Sequence, residues 1–327
     1  MEWQELVSKL KPGHDIRLMS HERPDGDAWG SVLGFALVLE SLGFKPRYMH
    51  VGIQPSRRHG WLPGQHLIEL HATKDITLPD EAAVFVLDCG DLSRCEFSLE
   101  PEMVLLNVDH HISNPRYGQI DWVDPRAGAT AQIIGRILID NHIPISQGAA
   151  TCFYTALASD TGGFRFSNTS GETMRVASVM HDSGADLPII RRRLWEDRPL
   201  QELLLLQEMM RSMSLVAEGK GVLCELPYGV IAGSEIYDAE TDNALEIIRS
   251  VGGIEAVVLL KEIEPDVVKV SVRSKDYLDS AAFMGLMGGG GHLKAAGATL
   301  NEPYDKVRDI VCDLLTRALL ADGGMGA

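Results

Sequence analysis

A chain of 327 residues with 45% hydrophobic and 23% charged side chains has the composition of an ordinary globular protein, long enough to bury two separate cores. Its 46 acidic against 30 basic residues leave a formal net charge of −16, which argues against general affinity for long nucleic acid, where many basic side chains must meet phosphates. A small anionic substrate stays compatible if cations are concentrated locally.

The N-terminal MEWQELVSKLKPGHD is charged throughout, and no apolar run reaches the length of a membrane span. Neither a signal peptide nor a membrane anchor is expected, and the expected location is the cytoplasm. Cys89, Cys95, Cys152, Cys224 and Cys312 are odd in number and contain no CxxC pair. That argues against a disulfide framework and a zinc-cysteine site, and for buried thiols.

In chain order, short apolar runs alternate with helical patterns: DIRLMSH, AWGSVLGFALVLESLG, KPRYMHV, AAVFVLDCG, MVLLNVDHH and GATAQIIGRILIDNHI. This alternation predicts an α/β domain, a parallel sheet with helices on both faces. Helices continue through QGAATCFYTALASD and GETMRVASVMHDSG. The stretch 187–217 is apolar at helical spacing but interrupted at Pro199, which reads as a kinked helical connector. Beyond it the sequence predicts strands at GVLCELP and GVIAGS, a helix at TDNALEIIRSVGG, strands at IEAVVLLKEI and VVKVSVRS, and a closing helix at YDKVRDIVCDLLTRALLA. The expected organisation is a first domain over 1–186, the connector over 187–217 and a smaller α/β domain over 218–327. The final DGGMGA is expected to be disordered.

Chemistry concentrates at the ends of the predicted strands. SHERPDGDAWGS puts His21, Asp25 and Asp27 around Pro24 and Gly26, although Pro-Asp-Gly-Asp is also turn chemistry and Asp27 is placed to cap the next helix. Asp88 follows AAVFVL, the run Asp109, His110, His111 follows MVLLNV, and Asp160 ends CFYTALASD. Each alone reads as readily as a turn, cap or hydrogen-bonded residue; together they do not. Ligands of an open parallel sheet collect beyond the carboxyl ends of its strands, so His21, Asp88 and His110 are expected in one crevice. Aspartate and imidazole without thiolate suit manganese or magnesium better than structural zinc.

HERPDGDA, LDCGD, DHH and ASDTGGFR, in this order and at these separations, resemble the four motifs of the DHH phosphoesterase family, and GGGGHLKAAG at Gly288–Gly297 resembles the signature of its associated C-terminal domain. The resemblance implies one cation held by His21, Asp25 and Asp88 and a second held by Asp27, Asp88, His110 and Asp160, with Asp88 bridging. It makes Asp88, Asp109, His110 and His111 the catalytic set, Asp109 orienting a histidine and His111 facing the substrate phosphate. Two divalent ions, Mn2+ first and Mg2+ or Co2+ as alternatives, then activate a hydroxide for attack on phosphorus without a covalent enzyme intermediate. The implied substrate contacts are Arg273, Gly289, Gly290, Gly291 and His292, across an interdomain cleft. Arg94 and Arg165 are further candidate phosphate contacts, and Asn168 and Thr169 candidate nucleotide contacts.

Within the family the compact two-domain arrangement most resembles the NrnA-like enzymes. These cleave short oligoribonucleotides, including pApA, to nucleoside 5′-monophosphates and convert pAp to AMP. The expected partners are therefore short oligoribonucleotides and mononucleotide bisphosphates, with no long nucleic acid and no membrane; a homodimer is left open. The alternatives are a soluble cyclic di-AMP phosphodiesterase, an inorganic pyrophosphatase and a metal-free nucleotide sensor. The glycine-run histidine argues against the pyrophosphatase, and the complete ligand set against the sensor.

Overall fold

The computed structural model describes residues 2–52, 59–79, 81–237 and 239–321; the DGGMGA tail lies outside them. The chain divides into two compact units, Met1–Asp197 and Arg198–Ala327. Residues 187–217 part at that boundary. Ile190 and Leu194 pack on the first unit's Ala158, whereas Leu205 and Met209 join a core of the second.

The first unit runs α1 (Glu2–Lys9), β1 (Asp15–Met19), α2 (Gly26–Ser41), β2 (Lys45–Val51), β3 (Ile68–His71), β4 (Ala83–Leu87), β5 (Val104–Asp109), β6 (Ile120–Val123), α3 (Thr130–Asp140), α4 (Gln147–Asp160), α5 (Gly171–Asp182) and α6 (Leu187–Arg191). Its six strands form one parallel sheet in the order β3-β2-β1-β4-β5-β6. The sequence reading anticipated β1, β2, β4 and β5. The four-residue edge strands β3 and β6 carry too few apolar side chains to register as a period.

Alternation along the strands splits the core. Ile16, Leu18, Tyr48, Phe85, Leu87, Leu106 and Val108 pack with side chains of α1 through α5 on one face. Each such fully buried aliphatic or aromatic side chain contributes about 1.5–3 kcal/mol. On the other face Met19, Met49, Val84 and Val86 are covered by Cys89, Cys95, Phe97 and neighbouring loop residues such as Ile76, Leu78 and Leu99. The α/β parallel-sheet class stands, but among the described residues the second face has an irregular layer where helices were expected. The 88–103 crossover is the reason: it forms only short 3-10 turns at Leu92–Arg94 and Pro101–Met103 and bonds back to the chain after β1, with Glu96 N donating to Ser20 O and Glu22 N to Arg94 O.

Close helix packing brings α4 to α2. A Cβ on Gly30 would lie 2.5 Å from Cys152 O, and one on Gly34 would lie 2.7 Å from the Phe153 ring. Only glycine lets these helices approach so closely, and the approach carries the C-terminal end of α4 toward the N-terminal end of α2.

The second unit comprises α7 (Leu200–Ser212), β7 (Ser214–Val216), β8 (Gly221–Leu226), α8 (Tyr228–Ile231), α9 (Asp242–Arg249), β9 (Ala256–Glu264), β10 (Val267–Ser274), α10 (Ser280–Gly285), β11 (Gly290–His292), β12 (Ala295–Asn301) and α11 (Tyr304–Ala321). Its mixed sheet has the order β11-β12-β10-β9-β8-β7, with β8 and β9 parallel and the other pairs antiparallel. GVIAGS, expected as a strand, begins in the short helix α8. Pro227 precedes that helix in extended conformation, and the Tyr228 amide donates to Glu262 Oε2; the local bonding overrides β-propensity. All five cysteines are free. No helix of the described residues is long and apolar enough to cross a membrane.

Candidate metal centre

His21 follows β1, Asp25 and Asp27 begin α2, Asp88 follows β4, Asp109 ends β5 with His110 and His111 next in the chain, and Asp160 ends α4. The structure brings these side chains together. Three groups have ligand atoms mutually within 4.8 Å: His21, Asp25 and Asp88; Asp27, His110 and Asp160; and Asp88, His110 and His111.

Asp25, not Asp27, caps α2. Its Oδ1 accepts from the amides of Asp27 and Ala28 at 3.0 and 3.1 Å. Asp27 lies two residues further on, the second residue of α2. It accepts from Ser31 Oγ at 2.7 Å and from the amides of Thr130 and Ala131 at 2.6 and 3.3 Å, so it supplies the cap that Ala129 cannot give α3. Asp88 is buried and has a left-handed backbone (φ 55°), a conformation that aspartate tolerates better than most residues.

The imidazoles are oriented by carbonyls and a carboxylate, which only accept. His21 Nδ1 donates to Glu22 O at 2.8 Å and His110 Nδ1 to Ala127 O at 3.3 Å, so each leaves its Nε2 lone pair for a cation. His21 Nε2 is 3.8 Å from Asp88 Oδ2. His110 Nε2 is 3.8 Å from Asp27 Oδ2, 3.6 Å from Asp88 Oδ1 and 3.4 Å from Asp160 Oδ2. These separations exceed a normal hydrogen bond of roughly 2.7–3.2 Å, so donors face one another without pairing. Asp109, fully buried, accepts from His111 Nδ1 at 2.6 Å and from Asn114 Nδ2 at 2.7 Å.

The electrostatics call for a cation. Burial, then the neighbouring Asp27, Asp25, Asp109 and Asp160, hold Asp88 well above the usual carboxylate range. Burial likewise raises Asp27, against the pull of His110, and lifts Asp160 to about 8. Burial works against a charge on His110, but Asp160, Asp27 and Asp109 outweigh it and raise its pKa. Asp109 differs: burial would raise it, but the bond and charge of His111 and the Asn114 amide bring it down. A carboxylate and imidazole donor set this dense fits hard divalent cations, which replace the protons the acids otherwise hold.

The other expected contacts are placed less directly. Arg94 is exposed, beside the His21 segment through its backbone bond to Glu22. Arg165 is exposed, with Nε donating to Gly162 O. The Asn168 amide bonds to the carbonyls of Gly128 and Asp160, a loop-fixing task, and Thr169 Oγ1 is buried without a hydrogen-bond partner among the described residues. In the second unit Arg273 Nη2 donates to Asp242 at 2.7 Å and Nη1 to Val272 O. The glycine run is partly demanded by the fold: a Cβ would lie 2.3 Å from Gly297 O at Gly289 and 2.5 Å from Ala295 O at Gly291, and Gly288 has φ 74°, whereas Gly290 faces open space. The His292 side chain lies outside the described residues. Thr130, Ser31 and Asn114 escaped the sequence reading, because single common polar residues in helices and loops carry no pattern.

The profile of the DHH family, N-terminal domain, matches residues 15–157, and that of the DHHA1 domain matches residues 226–319. With this fold and this site, those matches define an enzyme of the phosphodiesterase and phosphatase class, a hydrolase acting on ester bonds. The chain is 33% identical over 308 residues to the bifunctional oligoribonuclease and PAP phosphatase NrnA of Thermus thermophilus, covering 93% of this chain and 91% of that one. It is 26% identical over 320 residues to the Bacillus subtilis protein of the same name, covering 95% and 97%. The chain belongs to the DHH family. An exopolyphosphatase-related protein from Bacteroides fragilis has the same fold, with a TM-score of 0.86 at 22% identity over 97% of this chain and 96% of that one.

Proposed function

We propose that the protein hydrolyses short oligoribonucleotides, pApA among them, to nucleoside 5′-monophosphates and pAp to AMP, using two divalent cations with Mn2+ preferred. The observation that carries this reading is the sharing of Asp88 between groups of ligand atoms, with Oδ2 toward His21 and Oδ1 toward His110. His21, Asp25 and Asp88 would hold one cation, and Asp27, Asp88, His110 and Asp160 the other. The cations supply Lewis-acid polarisation of the phosphoryl group and lower the pKa of water to near neutrality. Names of relatives covering nearly the whole chain support the substrate class.

The chain's own residues do the rest. Asp109 holds the proton of His111 on Nδ1, which sets the tautomer with which His111 meets a phosphate oxygen. Arg273, with Gly289, Gly290, Gly291 and His292, recognises the remainder of the short substrate, and Arg94 and Arg165 contribute charge near the reacting phosphate. Attack of water on the phosphorus breaks its bond to the 3′-oxygen, so AMP leaves with a free 3′-hydroxyl in both cases, and the attacked phosphoryl group becomes inorganic phosphate from pAp or a second AMP from pApA.

Purified protein assayed with Mn2+ against pAp, pApA, a five-residue oligoribonucleotide and cyclic di-AMP tests this. The linear substrates should turn over fastest, all activity disappearing on chelation. Preferential cleavage of cyclic di-AMP would replace the substrate assignment, and chelator-resistant turnover would overturn the cation assignment.

A further inference from the structure

Thr130, at the start of α3, is fully buried, and its two donors go to two different carboxylates. Its amide donates to Asp27 Oδ2 at 2.6 Å and its hydroxyl to Asp88 Oδ1 at 3.0 Å. Those acceptors are the oxygens of Asp27 and Asp88 that face His110 Nε2, at 3.8 and 3.6 Å. The other Asp88 oxygen, Oδ2, faces His21. A buried threonine hydroxyl in a helix ordinarily bonds a carbonyl of its own chain one turn back, as Thr151 and Thr155 do in α4. At the first helical residue no such carbonyl exists, and the hydroxyl is spent on Asp88 instead.

With Oδ1 toward His110 and Oδ2 toward His21, Asp88 could offer one oxygen to each of two cations, and rotation about its last torsion, which is soft, would undo that arrangement. We propose that Thr130 is a positioning residue whose hydroxyl pins Asp88 in the shared orientation, Oδ1 toward His110 and Oδ2 toward His21, while its amide fixes Asp27 beside it. In this role Thr130 acts through Asp88 and Asp27. This inference rests on the proposed pair of cation positions.

The test is calorimetric titration of metal-free protein with Mn2+ for wild type, Thr130→Val, Thr130→Ala and Thr130→Ser, with thermal melts of each metal-free form. Valine keeps the shape and the amide and removes only the hydroxyl; alanine repeats the removal should valine misfold. Wild type should take up two equivalents. The valine and alanine variants should keep one binding event and weaken the other about 10- to 100-fold, the usual effect of losing a partner behind a metal ligand. Serine should restore both. In turnover of bis-p-nitrophenyl phosphate, kcat should fall in the valine variant with KM unchanged. Two unweakened equivalents in Thr130→Val, or a serine variant as deficient as valine, would overturn the positioning role. Fewer than two equivalents in wild type itself would instead overturn the pair of cation positions and the inference with it.

Discussion

At the scale of single residues, burial raises the pKa of Asp27, Asp88 and Asp160, so their charged forms are costly without a cation. Burial and four neighbouring aspartates hold the pKa of Asp88 well above the usual carboxylate range. Asp88→Asn keeps the shape and an acceptor for Thr130 but removes the charge. It should abolish Mn2+-dependent turnover while leaving the metal-free protein as stable as wild type or more so at pH 8, read as an unchanged or higher Tm. A large fall in Tm would mean that the carboxylate supports the fold. Asp160, pushed up to about 8, gives the pH dependence its sign. Between the ordinary aspartate pKa and 8 the folded metal-free protein binds more protons than the unfolded chain, so its stability falls as pH rises through that window. Below about pH 8 a cation entering the site must displace those protons. Calorimetric titrations of Mn2+ at pH 7 in buffers of differing ionisation enthalpy should therefore report proton release, and buffer-independent heats would contradict the assigned protonation.

At the scale of elements, helix termini and candidate cation ligands are the same residues. Asp25 caps α2, and Asp27 reaches across to the amides that open α3. The two tasks of Asp25 can be separated. Asp25→Ser retains a capping oxygen and loses the carboxylate, so Tm of the metal-free protein should hold while activity collapses. Asp25→Ala loses both and should also cost roughly 0.5–2 kcal/mol of stability. Equal stability of the two variants would show that the cap is energetically idle. This doubling is also why the sequence reading of SHERPDGDAWGS chose Asp27 as the cap: Pro-Asp-Gly-Asp offers two equivalent candidates, and only the distant partner Thr130 distinguishes them. The clustering of His21, Asp88 and His110 was legible because each follows an apolar run whose period marks a strand. Thr130 was not, since its role depends on a contact with Asp88 spanning 42 positions. The irregular layer on the second face of the sheet, where helices were expected, escaped the sequence reading for a similar reason: the conformation of 88–103 is set by bonds to Ser20 and Glu22.

At the scale of the whole molecule, the clustered acids and imidazoles and the glycine run fall to different units. The first unit carries every member of the three ligand groups. The second carries Arg273, already paired with Asp242, and the glycine run, in which Gly290 keeps an open face. If the second unit recognises the substrate, Arg273→Ala should raise KM for pAp and pApA by an amount equivalent to about 2–5 kcal/mol. Hydrolysis of bis-p-nitrophenyl phosphate, which needs mainly the cation site, should change little. Equal losses on both substrates would assign Arg273 to the fold. The two-unit plan was legible from where the periodicity restarts after Gly219, while the exact parting at Asp197 and Arg198 was not, because the helical spacing runs through it.

The central claim is that two divalent cations sharing Asp88 drive cleavage of short oligoribonucleotides. The most direct test is turnover of pApA measured while metal-free protein is titrated with Mn2+ at concentrations above the dissociation constants. The account predicts negligible AMP release at one equivalent and full release as the second binds. Full activity at one equivalent, or in the continued presence of chelator, would contradict it.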